Sequence, residues 1–183
     1  LFFVAVLGLA AWHGSRQAEE TLARFDPPHA PVPLAMDAWW SEDWQASLPA
    51  RRNELSGRDA WPLNVQFAGR LDALRARLLL AGWQDYETGG WEGLLQTMDK
   101  GATPLDLPVL PSMHQGRAET LVMVRREPGG GQMKVLRLWH GPVELQPGAV
   151  PLWIGSVHRL EFAQRLDFFS YWRVMPGEDA LLE

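Results

Sequence analysis

Three consecutive glycines, Gly129, Gly130 and Gly131, separate two segments of strand-like composition. Residues 120–125 (TLVMVR) precede them and residues 133–139 (MKVLRLW) follow them. Two such segments joined by a short glycine turn are a strong hairpin signal, because glycine tolerates the positive φ values of tight turns. The triplet lacks the Lys and the Ser or Thr of a phosphate-binding loop. We therefore interpret it as a turn and expect antiparallel pairing on either side.

Other segments also predict strands. Alternating apolar and polar residues at 51–55 and 63–67 are typical of half-buried strands, which we expect to form a hairpin with its turn at Gly57. Residues 150–157 and 168–174 predict two further strands. Because the pattern lacks repeated β-α-β units, we predict an α+β fold, a mainly antiparallel sheet with a few packed helices.

The clearest helix signal follows Gly69. Leu71, Leu74, Leu78 and Leu79 recur at helical spacing, and Gly82 is placed to end the helix. We expect this helix to pack against the sheet.

Side-chain alternation along strands predicts which residues share a face of the sheet. Leu136 and Leu138 are expected on the face away from Arg137 and Trp139. We further expect one face to carry Leu136, Leu138, Leu152 and Ile154, and the opposite face to carry Trp139 and Trp153.

The first twelve residues, LFFVAVLGLAAW, carry no charge. A spanning helix needs about 20 apolar residues, so we interpret this segment as the end of a transmembrane helix, and we expect the helix to continue outside the bilayer to residue 25. A signal peptide and a buried hairpin helix are the alternatives. Residues 26–33 (DPPHAPVP) contain four prolines and predict an extended connector. Residues 34–183 then form the soluble domain.

Composition excludes several classes of function. The chain has no cysteine, which rules out disulfides, thiolate zinc sites and a thiol nucleophile. Its net charge of −5 and its few paired basic residues argue against nucleic acid as a partner. We expect neither a metal nor a cofactor, because the histidines lack the short spacings that place two metal ligands on one face.

Ten tryptophans are present, and most of them are expected to fill the core. Trp39, Trp40 and Trp44 are the exception, since they follow the proline-rich connector, where the bilayer surface is near. We expect them to contact membrane lipid or to hold the connector, with at least one of them exposed.

No catalytic residue is predicted. The strongest enzyme alternative is a hydrolase that uses His114, Arg137 and His158. Gly155 before Ser156 suggests a close approach of the backbone. The candidate binding residues are Trp39, Trp40, Trp44, His114, Arg137, Trp139, Trp153 and Ser156.

An ordered set of short segments carries a family resemblance. The set is Trp39-Trp40, Trp44, Leu48-Pro49, 62–69 (PLNVQFAG), Ala81-Gly82-Trp83, 107–111 (LPVLP), His114, 136–139 (LRLW) and 151–157 (PLWIGSV). Together these segments resemble the LssY-like C-terminal domain between residues 39 and 157.

The resemblance implies a host protein but no catalytic residues. In bacteria this domain often ends a polytopic membrane protein whose earlier part resembles a type 2 phosphatidic acid phosphatase, sometimes fused to a DedA-like domain. We therefore expect a non-catalytic accessory domain that positions a substrate or an envelope partner beside a lipid or isoprenoid phosphatase-like unit. It would be tethered to the bacterial inner membrane on the periplasmic side. A secretion-linked interaction domain is a further alternative.

Overall fold

The computed structural model describes residues 30–41, 48–53, 59–88, 103–165 and 169–175. The helices are α1 (Met36–Trp40) and α2 (Leu71–Leu80). The strands are β1 (Val32–Ala35), β2 (Arg51–Asn53), β3 (Asp59–Pro62), β4 (Val65–Ala68), β5 (Gln84–Asp85), β6 (Met113–His114), β7 (Arg117–Ala118), β8 (Leu121–Arg126), β9 (Gln132–Gln146), β10 (Val150–Arg165) and β11 (Phe169–Val174).

Within the described residues, seven strands form one mainly antiparallel sheet, and β2–β3 and β6–β7 form two small hairpins. The prediction of an antiparallel sheet with a few helices is therefore confirmed. Helices long and apolar enough to cross a membrane do not occur in these ranges. The predicted end of a transmembrane helix and its extension, residues 1–25, lie outside them.

The long hairpin of β9 and β10 is the frame of the sheet. Half of β9 pairs with β8, and its other end pairs in parallel with β1. In the same way, β10 pairs with β4 near its start and with β11 near its end. Strand β5 completes the sheet beside β8. The predicted hairpin at the glycine triplet is confirmed, and Gly129 and Gly130 adopt φ values of +95° and +74°.

Helix α2 covers one face of this sheet. Leu78 and Trp83 pack there against Leu136, Leu138 and Val157. The helix ends as predicted, because Gly82 has a φ of +83° and the Trp83 amide donates to the Leu78 carbonyl at 3.0 Å. On the opposite face, residues 107–112 pass over β8, β9 and β10 without joining the sheet, and Val109 packs into the core there.

The predicted hairpin between 51–55 and 63–67 is wrong. Strand β2 pairs instead with β3, where Arg52 is opposite Trp61, and β4 pairs with β10. Val65 and Ala68 of β4 thereby pack against the two core clusters on either side of the sheet. Pairing with the short strand β2 would not provide this burial.

One face assignment is also wrong. Leu136 and Leu138 lie away from Arg137 and Trp139, as predicted, but Ile154 pairs with Trp139 and Leu152 packs in the same cluster. Trp153 pairs with His140 and therefore lies on the same face as Leu136 and Leu138. The register of the β9–β10 hairpin decides this arrangement, because a shift by one residue reverses the face of every side chain.

Candidate ligand-binding cleft

The face of the sheet opposite α2 carries a cleft of about 380 Å³. The sheet forms its floor, residues 107–112 form one wall, and Arg52 of β2 and Trp61 of β3 also line it. The described lining residues are Arg52, Trp61, Leu107, Pro108, Val109, Leu110, Pro111, Ser112, Val135, Arg137, Ser156, His158, Leu160, Phe169, Tyr171, Trp172 and Val174. This volume lies within the range of about 300–1,000 Å³ that is typical of small-molecule sites.

The floor of the cleft changes from polar to apolar along β10. Ser156 is opposite Arg137, and His158 is opposite Val135. Two residues further along, Leu160 is opposite Val174 of β11. Four residues of antiparallel strand span about 13 Å, so one end of the cleft presents polar groups and the other end presents hydrocarbon.

An ion pair fixes the guanidinium at the polar end. Arg137 donates through Nη1 to Glu119, and the two side chains are 12% and 2% exposed. Nη2 of Arg137 donates to the Leu110 carbonyl at 2.9 Å. Burial lowers the pKa of Arg137, and the neighbouring Glu119 carboxylate opposes that shift. Glu119 also accepts the Ser112 amide at 2.6 Å. The pair therefore joins the floor to the wall.

The wall, residues 107–112, is held by hydrogen bonds to side chains and not by pairing with a strand. The Val109 amide donates to the Tyr86 hydroxyl at 2.9 Å, and the Leu107 carbonyl accepts from Trp172 Nε1 at 3.2 Å. Buried backbone groups need such partners. Tyr86, Arg137, Glu119 and Trp172 provide these partners, so the backbone of the wall is satisfied without pairing with a strand.

Three basic side chains, those of Arg52, Arg137 and His158, lie near one another at the polar end of the cleft. Arg52 donates through Nη1 to the Met113 carbonyl at 3.1 Å. The pKa of His158 is lowered by burial and by the positive charges of Arg137 and Arg52. Trp61 packs edge-on to the His158 ring, with the centroids 5.7 Å apart. Of the described lining residues, none carries a carboxylate.

Aromatic residues also line the apolar end. Trp172 packs with Val109, Val135 and Leu160. Phe169 and Tyr171 lie against each other with ring centroids 5.6 Å apart. These contacts give the cleft one basic and one hydrophobic end.

Residues 45–166, about two thirds of the chain, match the family described as LssY C-terminus. The chain belongs to this family. No curated protein and no solved structure matches it. The matched range includes β2, the wall segment and all of β10, so most of the cleft of this LssY C-terminus domain lies inside the family region.

The fold of the LssY C-terminus domain brings together some of the predicted site residues. Arg137, Ser156 and His158 all line the cleft. His114 does not line it, since its ring is buried and packs edge-on to Trp139 at 5.9 Å. The histidine and arginine set of the hydrolase alternative is therefore only partly assembled.

The other candidate tryptophans occupy different places. Trp139 is 1% exposed and belongs to the core. Trp153 lies half-buried on the opposite face, where its Nε1 donates to the Gly69 carbonyl at 2.9 Å. Neither residue lines the cleft.

Trp39 and Trp40 lie on α1, with ring centroids 4.7 Å apart. Trp39 is half-buried and donates through Nε1 to Gln66 at 2.7 Å. Trp40 is 77% exposed, so the expectation of at least one exposed ring is met. Trp44 lies outside the described residues. Contact of these rings with lipid stays a prediction.

Sequence reasoning missed Arg52, Trp61, Glu119 and Trp172. The alternation of Ser156, His158 and Leu160 was a usable signal for a shared face, but nothing local indicates that Glu119 pairs with Arg137. Within the described ranges, no three His, Asp or Glu side chains come together as a metal site would require. The expectation of no metal and no cofactor stays a prediction.

Proposed function

We propose that this LssY C-terminus domain is the non-catalytic, membrane-tethered accessory domain of a lipid or isoprenoid phosphatase-like membrane protein in the bacterial envelope. In this proposal its cleft holds a ligand and presents it to a neighbouring domain or partner without transforming it. The observation that carries the proposal is the cleft itself, because an apolar pocket with a few converging polar groups is the usual form of a ligand site.

The arrangement of polar groups favours holding over catalysis. A hydrolase needs a nucleophile or a base within hydrogen-bond reach of its partner. Ser156 and His158 share a face of β10, but no hydrogen bond joins them among the described contacts, and Arg137 is engaged by Glu119. His114, the third residue of the hydrolase alternative, packs outside the cleft.

The membrane tether rests on the sequence and on Trp40. Residues 1–12 have the composition of a spanning helix. Trp40 follows β1 and is 77% exposed, and an exposed indole gains free energy at a bilayer interface. The proposed tether, periplasmic location and upstream phosphatase-like partner follow from the host proteins that the family resemblance implies.

Two assays on the 183-residue chain test the proposal. In the first, para-nitrophenyl phosphate and farnesyl diphosphate are incubated with the protein, and we expect no phosphate release above the buffer blank. Release that His158→Gln abolishes would contradict the proposal and favour the hydrolase alternative.

The second assay measures whether the protein binds an amphiphilic ligand. Dodecyl phosphate and dodecylphosphocholine are titrated below their critical micelle concentrations, and dodecanol is titrated below its solubility limit. The proposal requires that at least one binds and is recovered intact. Absence of binding by all three would contradict it and leave the secretion-linked interaction domain as the better account.

A further inference from the structure

We propose that the cleft takes an amphiphile with one hydrocarbon chain and an anionic phosphate or carboxylate head group. The head group lies between Arg52 and Arg137, and the chain lies over Leu160 and Trp172. This inference rests on the proposed function and names the ligand class of the same site.

The charges at the polar end favour an anion. Arg52 and Arg137 are close enough for each to affect the pKa of His158, and both line the cleft. Glu119 pairs with Arg137 from behind, with only 2% of its side chain exposed, so it leaves the cleft side of Arg137 open to a ligand. An oxyanion between the two guanidiniums would accept charge-assisted hydrogen bonds, which are stronger than those between neutral groups.

Arg137 is positioned to make such bonds. A guanidinium has five N–H donors, and the described contacts use one at Glu119 and one at the Leu110 carbonyl. These two contacts orient the group before any ligand arrives. A preorganised donor loses less conformational freedom on binding.

The apolar end favours a hydrocarbon chain. Leu107, Val109, Leu160 and Val174 line the cleft together with Trp172. The floor runs about 13 Å from Ser156 to Leu160, which suits an extended chain better than a compact ring. The volume of about 380 Å³ lies near the lower limit for ligand pockets, which favours a ligand with a single chain.

Isothermal titration calorimetry of the 183-residue chain with soluble alkyl ligands tests this inference. We expect dodecyl phosphate and dodecanoate to bind at least tenfold more tightly than dodecylphosphocholine or dodecanol. Butyl phosphate and inorganic phosphate, which lack the long chain, should bind at least tenfold more weakly than dodecyl phosphate. Dodecyl phosphate binding should also weaken as salt is raised.

Variants at neighbouring arginines provide a matched control. Arg52→Gln should weaken dodecyl phosphate binding about tenfold, whereas Arg51→Gln, which alters the adjacent residue outside the cleft lining, should leave it unchanged. Arg52→Lys retains the charge and should recover most of the affinity. If Arg52→Gln does not fold, the comparison of head groups on the unaltered protein decides alone.

The outcomes separate the two proposals. Equal affinity for dodecanol and dodecyl phosphate would overturn the anionic class and leave a ligand-holding cleft intact. Preference for inorganic phosphate over dodecyl phosphate would overturn the requirement for a chain. Binding of none of the ligands would overturn the proposed function as well. An equal loss of affinity for dodecyl phosphate in Arg51→Gln and Arg52→Gln would show that the head group lies elsewhere.

Discussion

Arg137 and Glu119 form an ion pair beneath the cleft, with side chains 12% and 2% exposed. The pair connects strand β9 to the segment before β8, and through the Ser112 amide and the Leu110 carbonyl it also holds the wall of the cleft. One buried carboxylate thus supports both the basic end of the cleft and its shape.

Glu119→Gln should therefore be strongly destabilising. Removing one partner of a buried ion pair costs about 3–5 kcal/mol, because the remaining charge is left uncompensated. Urea denaturation should show a loss of about 3 kcal/mol in the free energy of unfolding. The matched control is Glu161→Gln, whose partner Arg173 is 59% exposed, and we expect a loss below about 1 kcal/mol. Similar losses in the two variants would contradict this role for Glu119.

Stability should depend on pH through His158. Its pKa in the folded protein is lowered by burial and by Arg137 and Arg52, whereas in the unfolded chain it is about 6.5. As the pH falls below that value, the unfolded chain binds a proton that the folded protein does not, so the free energy of unfolding decreases. The stabilisation associated with the neutral His158 ring is therefore fully present above about pH 6.5. It is lost as the pH falls towards the lower pKa of His158 in the folded protein.

His158→Gln should flatten this part of the profile. Urea denaturation of the unaltered protein and of His158→Gln measures how the free energy of unfolding depends on pH. The range from pH 7.5 to pH 5 covers about one unit or more on either side of the unfolded-state pKa. Parallel profiles would show that other groups dominate.

Gly155 should resist substitution. A Cβ atom there would lie 2.0 Å from the Arg137 carbonyl oxygen, so β9 and β10 would have to move apart. We expect Gly155→Ala to cost more than about 2 kcal/mol, as overpacking does. Gly131 is the control, since a Cβ atom there would meet no other atom within 4 Å and its alanine variant should be nearly neutral. Thermal unfolding of both variants checks this, and a stable Gly155→Ala protein would contradict the close approach.

Substitution by serine should have different effects at Trp40 and at Trp39. Trp40→Ser should change the free energy of unfolding by less than about 0.5 kcal/mol, because an exposed side chain contributes little to folding. It should reduce sedimentation of residues 30–183 with phospholipid vesicles. Trp39→Ser should mainly destabilise, because that ring packs in the core cluster and bonds to Gln66. If residues 30–183 do not sediment with vesicles, the membrane role of Trp40 is lost.

Local patterns in the sequence predicted the local parts of this fold. The glycine triplet identified the β8–β9 hairpin, and the leucine spacing with Gly82 identified α2, since each signal lies within one element. The partner of β4 and the faces of Leu152 and Ile154 depend on the register of the long hairpin. That register is a tertiary property, and alternation alone does not fix it.

The cleft was only partly predictable for a similar reason. Arg137, Ser156 and His158 lie on strands that the sequence identified. The wall over them is held by Tyr86, Glu119 and Trp172, which are distant in sequence and bond to backbone groups. Such contacts leave no periodic signal, so neither the wall nor Arg52 could be assigned to the site.

A crystal structure of the protein with a dodecyl phosphate that carries bromine on its terminal carbon would locate both ends of the bound ligand. We expect an intact phosphate ester between Arg52 and Arg137, with anomalous density for bromine beside Leu160, Val174 and Trp172. Bromine at the surface around Trp40 with an empty cleft, or free phosphate in place of the ester, would contradict this expectation.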